Sequence, residues 1–194
     1  MGDDKAVADI LDRVPELSLK RFTHGDAAER DQFITELFRG FRYFGFIILK
    51  DHGVSADLLK QAYALAEQYF AQPEAEKKRH NAGPDGQRGY TPFGREHAKD
   101  TPTPDLKEFW HVGREFAASS PLAAQYPPNI WPDNPANFKD VMLKLYNALE
   151  EAGHVMLEAL APSLGVPRAY FRDLATNGNS ILRILHYPPI ADDA

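Results

Sequence analysis

Apolar residues recur every three or four positions in three long stretches of the chain, which is the spacing that gathers them on one face of an α-helix. This pattern predicts helices over residues 27–43, 55–71 and 138–160. Asp26 and Ser55 stand at the start of the first two, where a side-chain oxygen can accept a hydrogen bond from an otherwise unpaired backbone amide. We therefore expect both residues to act as N-terminal caps.

Two shorter patterns predict β-strands. Residues 46–49 form a continuous apolar run, which is typical of a strand buried on both faces, so we expect a central strand between the first two helices with Phe46 fully buried. Residues 106–113 and 181–187 instead alternate, and alternation places successive side chains on opposite faces of a sheet. The expected faces of the first alternating strand are Trp110 with Val112, and Phe109 with His111.

The alternating strand at 181–187 has a face with an uncommon composition. Arg183, Leu185 and Tyr187 share it, and Pro188 lacks the amide hydrogen that a continuing ladder needs. A buried polar group must find a partner, so a face that combines a cation with a phenol is typical of the wall of a site for an anionic ligand. An edge strand with Arg183 in solvent and Tyr187 half-buried explains these residues equally well.

Between the predicted elements, residues 81–105 are rich in glycine and proline, which predicts a long loop. The loop carries Arg88, Tyr90 and Arg95. Two guanidinium groups and a phenol on a mobile loop can wrap a small carboxylate. A solvated surface loop without a ligand is the alternative interpretation.

Composition narrows the classes of function. The 194 residues carry a formal net charge of −6 without a dense block of lysine and arginine, which argues against nucleic acid as the main partner. No apolar run approaches the ~20 residues of a membrane span. The absence of cysteine excludes disulfides, thiolate zinc sites and cysteine nucleophiles. A cytoplasmic location is the simplest interpretation.

Motifs for other chemistries are absent from the sequence. There is no His-Glu-x-x-His zinc pattern, no Gly-x-Ser-x-Gly nucleophile turn and no phosphate-binding glycine loop. A non-haem iron site needs two histidines and a carboxylate, and one His-x-Asp triplet exists at His24-Gly25-Asp26. Since Asp26 already has a sufficient role as a helix cap, we do not interpret this triplet as a metal ligand pair.

The order of segments resembles that of the isopenicillin N synthase-like oxygenases, a branch of the iron(II)/2-oxoglutarate dioxygenases. Residues 43–54 match the aromatic-Gly-Phe-hydrophobic-x-x-x-His-Gly signature of that family. Four further segments match in order: Phe70-Ala71-Gln72-Pro73 with Glu76-Lys77, Arg88-Gly89-Tyr90, Lys107-Glu108-Phe109, and Leu182-Arg183-Ile184-Leu185-His186-Tyr187-Pro188-Pro189. In the last of these, Leu185 replaces the asparagine of many family members, so any ligand contact from that position is lost or different.

The resemblance implies an α+β fold. We expect an N-terminal dioxygenase region over residues 1–130, followed over 131–194 by a spine helix and the start of a double-stranded β-helix, or jelly-roll, core that is incomplete in these 194 residues. The family's iron ligands would lie beyond residue 194, so we assign no catalytic residue and no metal ligand within this sequence. His52 would be a structural turn residue.

The resemblance also implies an activity. The protein would be an oxidoreductase that uses Fe(II), 2-oxoglutarate as cosubstrate and O2 to oxidise a small organic substrate by hydroxylation, desaturation or ring closure. Tyr187 would donate a hydrogen bond to 2-oxoglutarate, and Arg88 and Tyr90 would line the substrate mouth. Two alternatives stay open: a non-catalytic α+β interaction module, if the native chain ends at residue 194, and an oxygenase that dispenses with 2-oxoglutarate.

Overall fold

A computed structural model describes residues 13–81, 83, 87–96 and 105–189. In chain order the helices and strands are β1 (Glu16–Ser18), α1 (Leu19–Thr23), α2 (Ala27–Phe44), β2 (Ile48–Lys50), α3 (Ala56–Phe70), α4 (Glu74–Lys78), β3 (Gly89–Thr91), β4 (Glu108–Gly113), α5 (Phe138–Leu160), α6 (Tyr170–Ala175) and β5 (Ile181–His186). The fold is therefore mixed, with both helices and sheets. Among the described residues, no helix is both long enough and apolar enough to cross a lipid bilayer.

The chain divides into two compact units. The first comprises Met1–Val54 with Ala148–Thr176, and the second comprises Ser55–Asn147 with Asn177–Ala194. The helix α5 contributes residues to both units. Each unit has its own sheet and its own set of buried apolar side chains, so the two are described separately.

In the first unit, local sequence signals account for α2. The Asp26 carboxylate accepts a hydrogen bond from the Glu29 amide at 2.9 Å, and the Glu29 carboxylate accepts one from the Asp26 amide at 3.0 Å. This reciprocal capping box satisfies two amides that the first helical turn leaves unpaired. Gly45 ends the helix with a φ of 78°, a left-handed conformation that glycine adopts without a steric cost. The predicted helix and its cap are confirmed.

The core of the first unit packs α2 against the chain around β1 and α1. Its buried members are Leu17, Leu19, Phe22, Phe33, Leu37 and Ala159. The rings of Phe22 and Phe33 lie 5.7 Å apart, and both side chains are excluded from solvent. The helical periodicity of the sequence correctly predicts Phe33 and Leu37 on the inner face of α2, which packs against these apolar residues.

The predicted central strand over residues 46–49 is wrong. The strand begins at Ile48, is three residues long, and within the described chain pairs only with β1, in parallel, with Ile48 opposite Glu16. Phe46 is 56% exposed. A short apolar run does not by itself distinguish a strand buried on both faces from a half-exposed segment, and this run belongs to a two-stranded sheet.

In the second unit, α3 begins as predicted. The Ser55 hydroxyl accepts a hydrogen bond from the Leu58 amide at 3.4 Å, which caps the helix. On the inner side of α3, the Tyr69 ring packs edge-on against Trp110 with ring centres 4.7 Å apart, and Trp110 lies 5.2 Å from Phe138 at the start of α5. These three aromatic side chains are buried and form the centre of the second core.

The sheet of the second unit has the order β3-β4-β5, and both pairs are antiparallel. The register gives each face its residues, since cross-strand partners share a face. The helix-side face holds three cross-strand pairs, Glu108 with His186, Trp110 with Ile184, and Tyr90 with Trp110. The opposite face holds Phe109 with Leu185, His111 with Arg183, and Thr91. We call it the ligand face because the sequence predicts an anionic ligand there. The alternation predicted for both strands is confirmed.

The predicted loop at 81–105 needs one correction. It contains the strand β3, and both Arg88 and Tyr90 are only 1% exposed. The prediction of a loop is therefore wrong for residues 89–91, because they pair with β4 and all three are buried. Arg88, directly before the strand, is buried as well. Residues 82, 84–86 and 97–104 of the predicted loop lie outside the described part of the chain.

Candidate functional site

Tyr187 is the one residue that the sequence assigned to the cosubstrate. It follows β5 directly, one residue beyond the last ladder pair of Glu108 with His186, and it is 63% exposed. Leu185, two residues earlier and on the ligand face, is 46% exposed. An accessible phenol beside apolar surface can donate one hydrogen bond to a ligand, so the position of Tyr187 is compatible with the role expected from the sequence.

Arg183 lies further along the same face and is held on two sides. Its Nε donates a hydrogen bond to His111 Nε2 at 2.6 Å, and its guanidinium carbon lies 4.5 Å from the centre of the Phe109 ring. Arginine always donates, so His111 Nε2 must accept, and a neutral His111 then carries its proton on Nδ1. The Arg183 side chain is still 42% exposed. It is thus an oriented cation that a ligand can reach.

A carboxylate bridges Arg183 to a second cation. Glu96 Oε1 lies 3.1 Å from Arg183 Nη1, and Glu96 Oε2 lies 3.0 Å from Lys107 Nζ. Lys107 Nζ also lies 2.7 Å from Asp105 Oδ2. The hydrogen bonds to Asp105 and Glu96 raise the pKa of Lys107, so the lysine is a cation at neutral pH. Two cations from different parts of the chain therefore share one carboxylate.

The helix-side face holds a buried polar network around Glu108. This carboxylate accepts hydrogen bonds from Lys77 Nζ at 2.7 and 2.9 Å and from the Tyr90 hydroxyl at 2.5 Å, and it lies 2.8 Å from His186 Nδ1. Burial, followed by the hydrogen bond to Glu108, raises the pKa of Tyr90. The His186 ring stacks on Phe70 at 5.1 Å. Through this network, α4 and all three strands contact one carboxylate. We therefore interpret the network as structural.

Arg88 is also buried, and its contacts are with polar groups of the protein. Its Nη1 donates to the Gln87 carbonyl at 2.7 Å and its Nη2 to Asn179 Oδ1 at 2.9 Å, while Nε has no hydrogen-bond partner among the described residues. The guanidinium lies against Gly113, where a side-chain Cβ would collide with it. Burial lowers the pKa of Arg88.

The structure thus does not bring the three predicted site residues together. Tyr90 belongs to the helix-side face, opposite the face of Leu185 and Arg183, and Arg88 is covered at the end of the sheet. The substrate roles of Arg88 and Tyr90 stay predictions. The sequence predicts a shared face for Arg183 and a phenol, but nothing local indicates Glu96, because its contact with Arg183 joins positions 87 residues apart. Lys107 reaches this site only through Glu96.

The histidines and carboxylates of the described residues do not form a metal centre. No group of three or more histidine, cysteine, aspartate or glutamate side chains there could hold a metal ion. In the His24-Gly25-Asp26 triplet, Asp26 caps α2 and His24 Nδ1 lies 2.7 Å from the Thr23 hydroxyl. His52 Nδ1 accepts a hydrogen bond from the Val54 amide at 3.2 Å, within a turn in which Asp51 has a φ of 53°. Both histidines therefore have local structural contacts.

Comparison with known proteins identifies similar sequences and folds. The family model described as "non-haem dioxygenase in morphine synthesis N-terminal" matches residues 14–134. Among curated proteins, the 2-oxoglutarate-dependent dioxygenase imqE of Aspergillus flavus is 28% identical, with 93% of this chain and 56% of that protein aligned. The 2-oxoglutarate-Fe(II) type oxidoreductase ppzD of Metarhizium rileyi is also 28% identical, over 92% of this chain and 53% of that protein.

Two solved structures resemble the fold over most of the chain. A 2OG-Fe(II) oxygenase family protein from Caulobacter crescentus superposes with a TM-score of 0.80 and 37% identity, over 91% of this chain and 57% of that one. A full-length Neurospora crassa protein in complex with alpha-KG gives a TM-score of 0.78 and 26% identity, over 93% of this chain and 56% of that one. The chain spans about half the length of the curated relatives it matches.

Proposed function

Because the chain belongs to the non-haem dioxygenase family by its match over residues 14–134, we propose that the protein is an iron(II)- and 2-oxoglutarate-dependent dioxygenase that oxidises a small organic substrate with O2. The family match is the observation that carries the proposal. Support from the geometry comes from the exposed phenol of Tyr187 directly after β5, and from the oriented Arg183 guanidinium and the exposed Leu185 on the ligand face. The outcome, whether hydroxylation, desaturation or ring closure, depends on the substrate.

The described residues fit the cosubstrate better than the metal. A phenol that is 63% exposed can donate a hydrogen bond to a carboxylate of 2-oxoglutarate, so Tyr187 would hold one end of that molecule. When bound, iron and 2-oxoglutarate together supply the oxidant made from O2. No described group of residues could hold the metal, so no role proposed for this chain passes through iron.

The chain's own residues then position ligands and exclude water. Tyr187 orients 2-oxoglutarate, and the apolar Phe109 and Leu185 keep the ligand face dry once a substrate covers it. For Arg88 and Tyr90 we retain the substrate mouth as a prediction. Their burial favours an indirect role, in which they fix β3 and the end of β4.

The proposal extends to the regions of the chain, its partners and its location in the cell. We propose that residues 1–130 form the N-terminal dioxygenase region, and that residues 131–194 comprise the spine helix and the start of a jelly-roll core whose other strands these residues do not supply. The antiparallel pairing of β4 with β5 joins a strand of the first region to the strand that would begin the core. The expected partners are the small-molecule substrate and O2, and the expected location is the cytoplasm.

Oxygen consumption tests the proposed function directly. The native full-length protein, supplied with Fe(II), should consume O2 and form succinate only when 2-oxoglutarate is present. An oxygenase that dispenses with the cosubstrate would consume O2 without it once its substrate is added. A non-catalytic interaction module would form no succinate under any condition, and that result would contradict the proposal.

A further inference from the structure

The bridge formed by Glu96 has the geometry of an occupied anion site. Both Glu96 oxygens lie close to Arg183 Nη1, Oε1 at 3.1 Å and Oε2 at 3.2 Å, and Oε2 also lies 3.0 Å from the Lys107 ammonium. Charge-assisted hydrogen bonds from two cations to one carboxylate are the contacts that a carboxylate ligand would use. We propose that Arg183 and Lys107 bind a carboxylate group of the prime substrate, and that Glu96 occupies this two-cation site until the substrate replaces it.

Exposure shows which of the two ion-pair clusters can exchange its carboxylate. The side chains of Arg183 and Glu96 are 42% and 34% exposed, so water screens their attraction and can solvate Glu96 when it leaves. Lys107 is only 14% exposed, but it keeps Asp105 as a counter-charge. Lys77 and Glu108 on the other face are 7% and 1% exposed. Separating that pair would leave a charge buried without a partner. The Glu96 bridge is therefore exchangeable, whereas the Glu108 network is fixed.

Each cation also has a second contact that does not involve Glu96. Arg183 keeps its hydrogen bond to His111 at 2.6 Å and its position over the Phe109 ring, and Lys107 keeps Asp105 at 2.7 Å. When Glu96 leaves, these contacts hold both cations in place. The site is then preorganised for an incoming carboxylate, which reduces the entropy that binding must overcome.

The surroundings indicate what kind of molecule carries the carboxylate. Leu185, on the same face and paired with Phe109, offers exposed apolar surface next to the cations. A small organic acid with an apolar body would place its charge on Arg183 and Lys107 and its body over Leu185. This inference rests on the proposed function, because it identifies the acid as the prime substrate and leaves 2-oxoglutarate to Tyr187.

Titration calorimetry with two matched probes tests the proposal. Benzoate and benzamide have the same ring and differ in charge, and both are titrated into the full-length protein with and without saturating 2-oxoglutarate. Glu96→Gln removes the competing charge, so benzoate should bind this variant at least fivefold more tightly than the unaltered protein. Arg183→Gln and Lys107→Gln should each weaken benzoate binding at least tenfold, and benzamide should respond to none of them.

The matched control is Glu76→Gln, which removes a carboxylate from the exposed pair with Arg79 in the same unit and should leave benzoate binding unchanged. Benzoate binding to Glu96→Gln that is unchanged, weaker or undetectable would overturn the proposal. Competition between benzoate and 2-oxoglutarate would also overturn it, since the site would then belong to the cosubstrate. If Arg183→Gln fails to fold by thermal melting, the Glu96 and Lys107 variants decide the result.

These titrations measure no turnover, so they separate the two proposals. A protein that forms no succinate but shows the tighter benzoate binding of Glu96→Gln would lack the proposed function and still possess the two-cation site. Active protein without the Glu96 effect would have the function and lack the site.

Discussion

At Tyr187, a single substitution can distinguish a hydrogen bond to a ligand from a packing role of the ring. Tyr187→Phe keeps the ring and removes only the hydrogen-bond donor, and a hydrogen bond to a charged acceptor contributes roughly 1.5–3 kcal/mol. We expect 2-oxoglutarate to bind about ten- to a hundredfold more weakly, with the melting temperature nearly unchanged because the side chain is 63% exposed. Titration of 2-oxoglutarate into the anaerobic Fe(II) protein, followed by its absorption band, measures this.

The matched control for that substitution is Tyr63→Phe on α3, where the tyrosine is 74% exposed and no role is proposed. It should leave 2-oxoglutarate binding unchanged. Identical binding curves for Tyr187→Phe and the unaltered protein would remove Tyr187 from the cosubstrate site.

Glu108 is a residue whose substitution should strongly destabilise the second unit. Glu108→Gln leaves the Lys77 ammonium buried without a counter-charge, and breaking a buried pair in this way costs on the order of 3–5 kcal/mol. Urea unfolding measures the change. The control Glu76→Gln, in an exposed pair, should cost less than about 1 kcal/mol. Equal losses for the two variants would mean that the Glu108 network contributes little.

At the scale of elements, substitutions of Asp26 at the start of α2 distinguish a helix cap from a metal ligand. Asp26→Ala should lower the free energy of unfolding by about 1 kcal/mol because it removes the capping oxygen. Asp26→Asn keeps a capping oxygen and loses the carboxylate, so its stability and its iron content should match those of the unaltered protein. Loss of iron in the asparagine variant would show that the His24-Gly25-Asp26 triplet binds metal after all.

Phe46, in the segment before β2, tests whether this part of the chain is a buried strand. Phe46→Ala should lower the free energy of unfolding by less than about 1 kcal/mol, since Phe46 is 56% exposed. Phe33→Ala, at a fully buried position of α2, should cost about 3–5 kcal/mol. Urea unfolding of both variants measures the contrast. A large loss at Phe46 would restore the central strand that the sequence alone suggested.

The elements that the sequence predicted well are those with local signals. The helix α2 carries its periodicity, its cap at Asp26 and its stop at Gly45 within twenty residues of sequence, and β4 and β5 carry their alternation in the same way. The strand β3 has no such local signal, because its three residues lie in a segment rich in glycine and proline. Its partners are residues 109–111, so nothing local marks it.

In the candidate site, too, the sequence predicts only those side-chain positions that depend on nearby residues. The shared face of Arg183 and Tyr187 follows from alternation, and the sequence therefore suggested an anionic ligand there. The burial of Arg88 and Tyr90 depends on contacts with Asn179 and Glu108. The Glu96 bridge likewise depends on how distant segments meet, and no spacing rule encodes such a meeting.

At the scale of the whole chain, β5 is an edge strand among the described strands, and Leu185 on it is 46% exposed. Exposed edges with apolar side chains promote pairing between molecules. We expect the 194-residue chain to self-associate with increasing concentration in analytical ultracentrifugation, and Leu185→Lys to reduce this. Leu149→Lys, at a similarly exposed position on α5, is the control. A chain that stays monomeric at all concentrations would contradict the prediction.

The Glu108 network has a consequence for the order in which the polypeptide is made. Lys77 precedes Glu108 by 31 residues, whereas His186 follows it by 78. At about 5–20 residues per second, the ribosome needs roughly 4–16 s to add those 78 residues. Throughout this interval the nascent β3-β4 pair has no β5 beside it. Chaperones that shield nascent strand edges should therefore contact residues 108–113 until β5 is made.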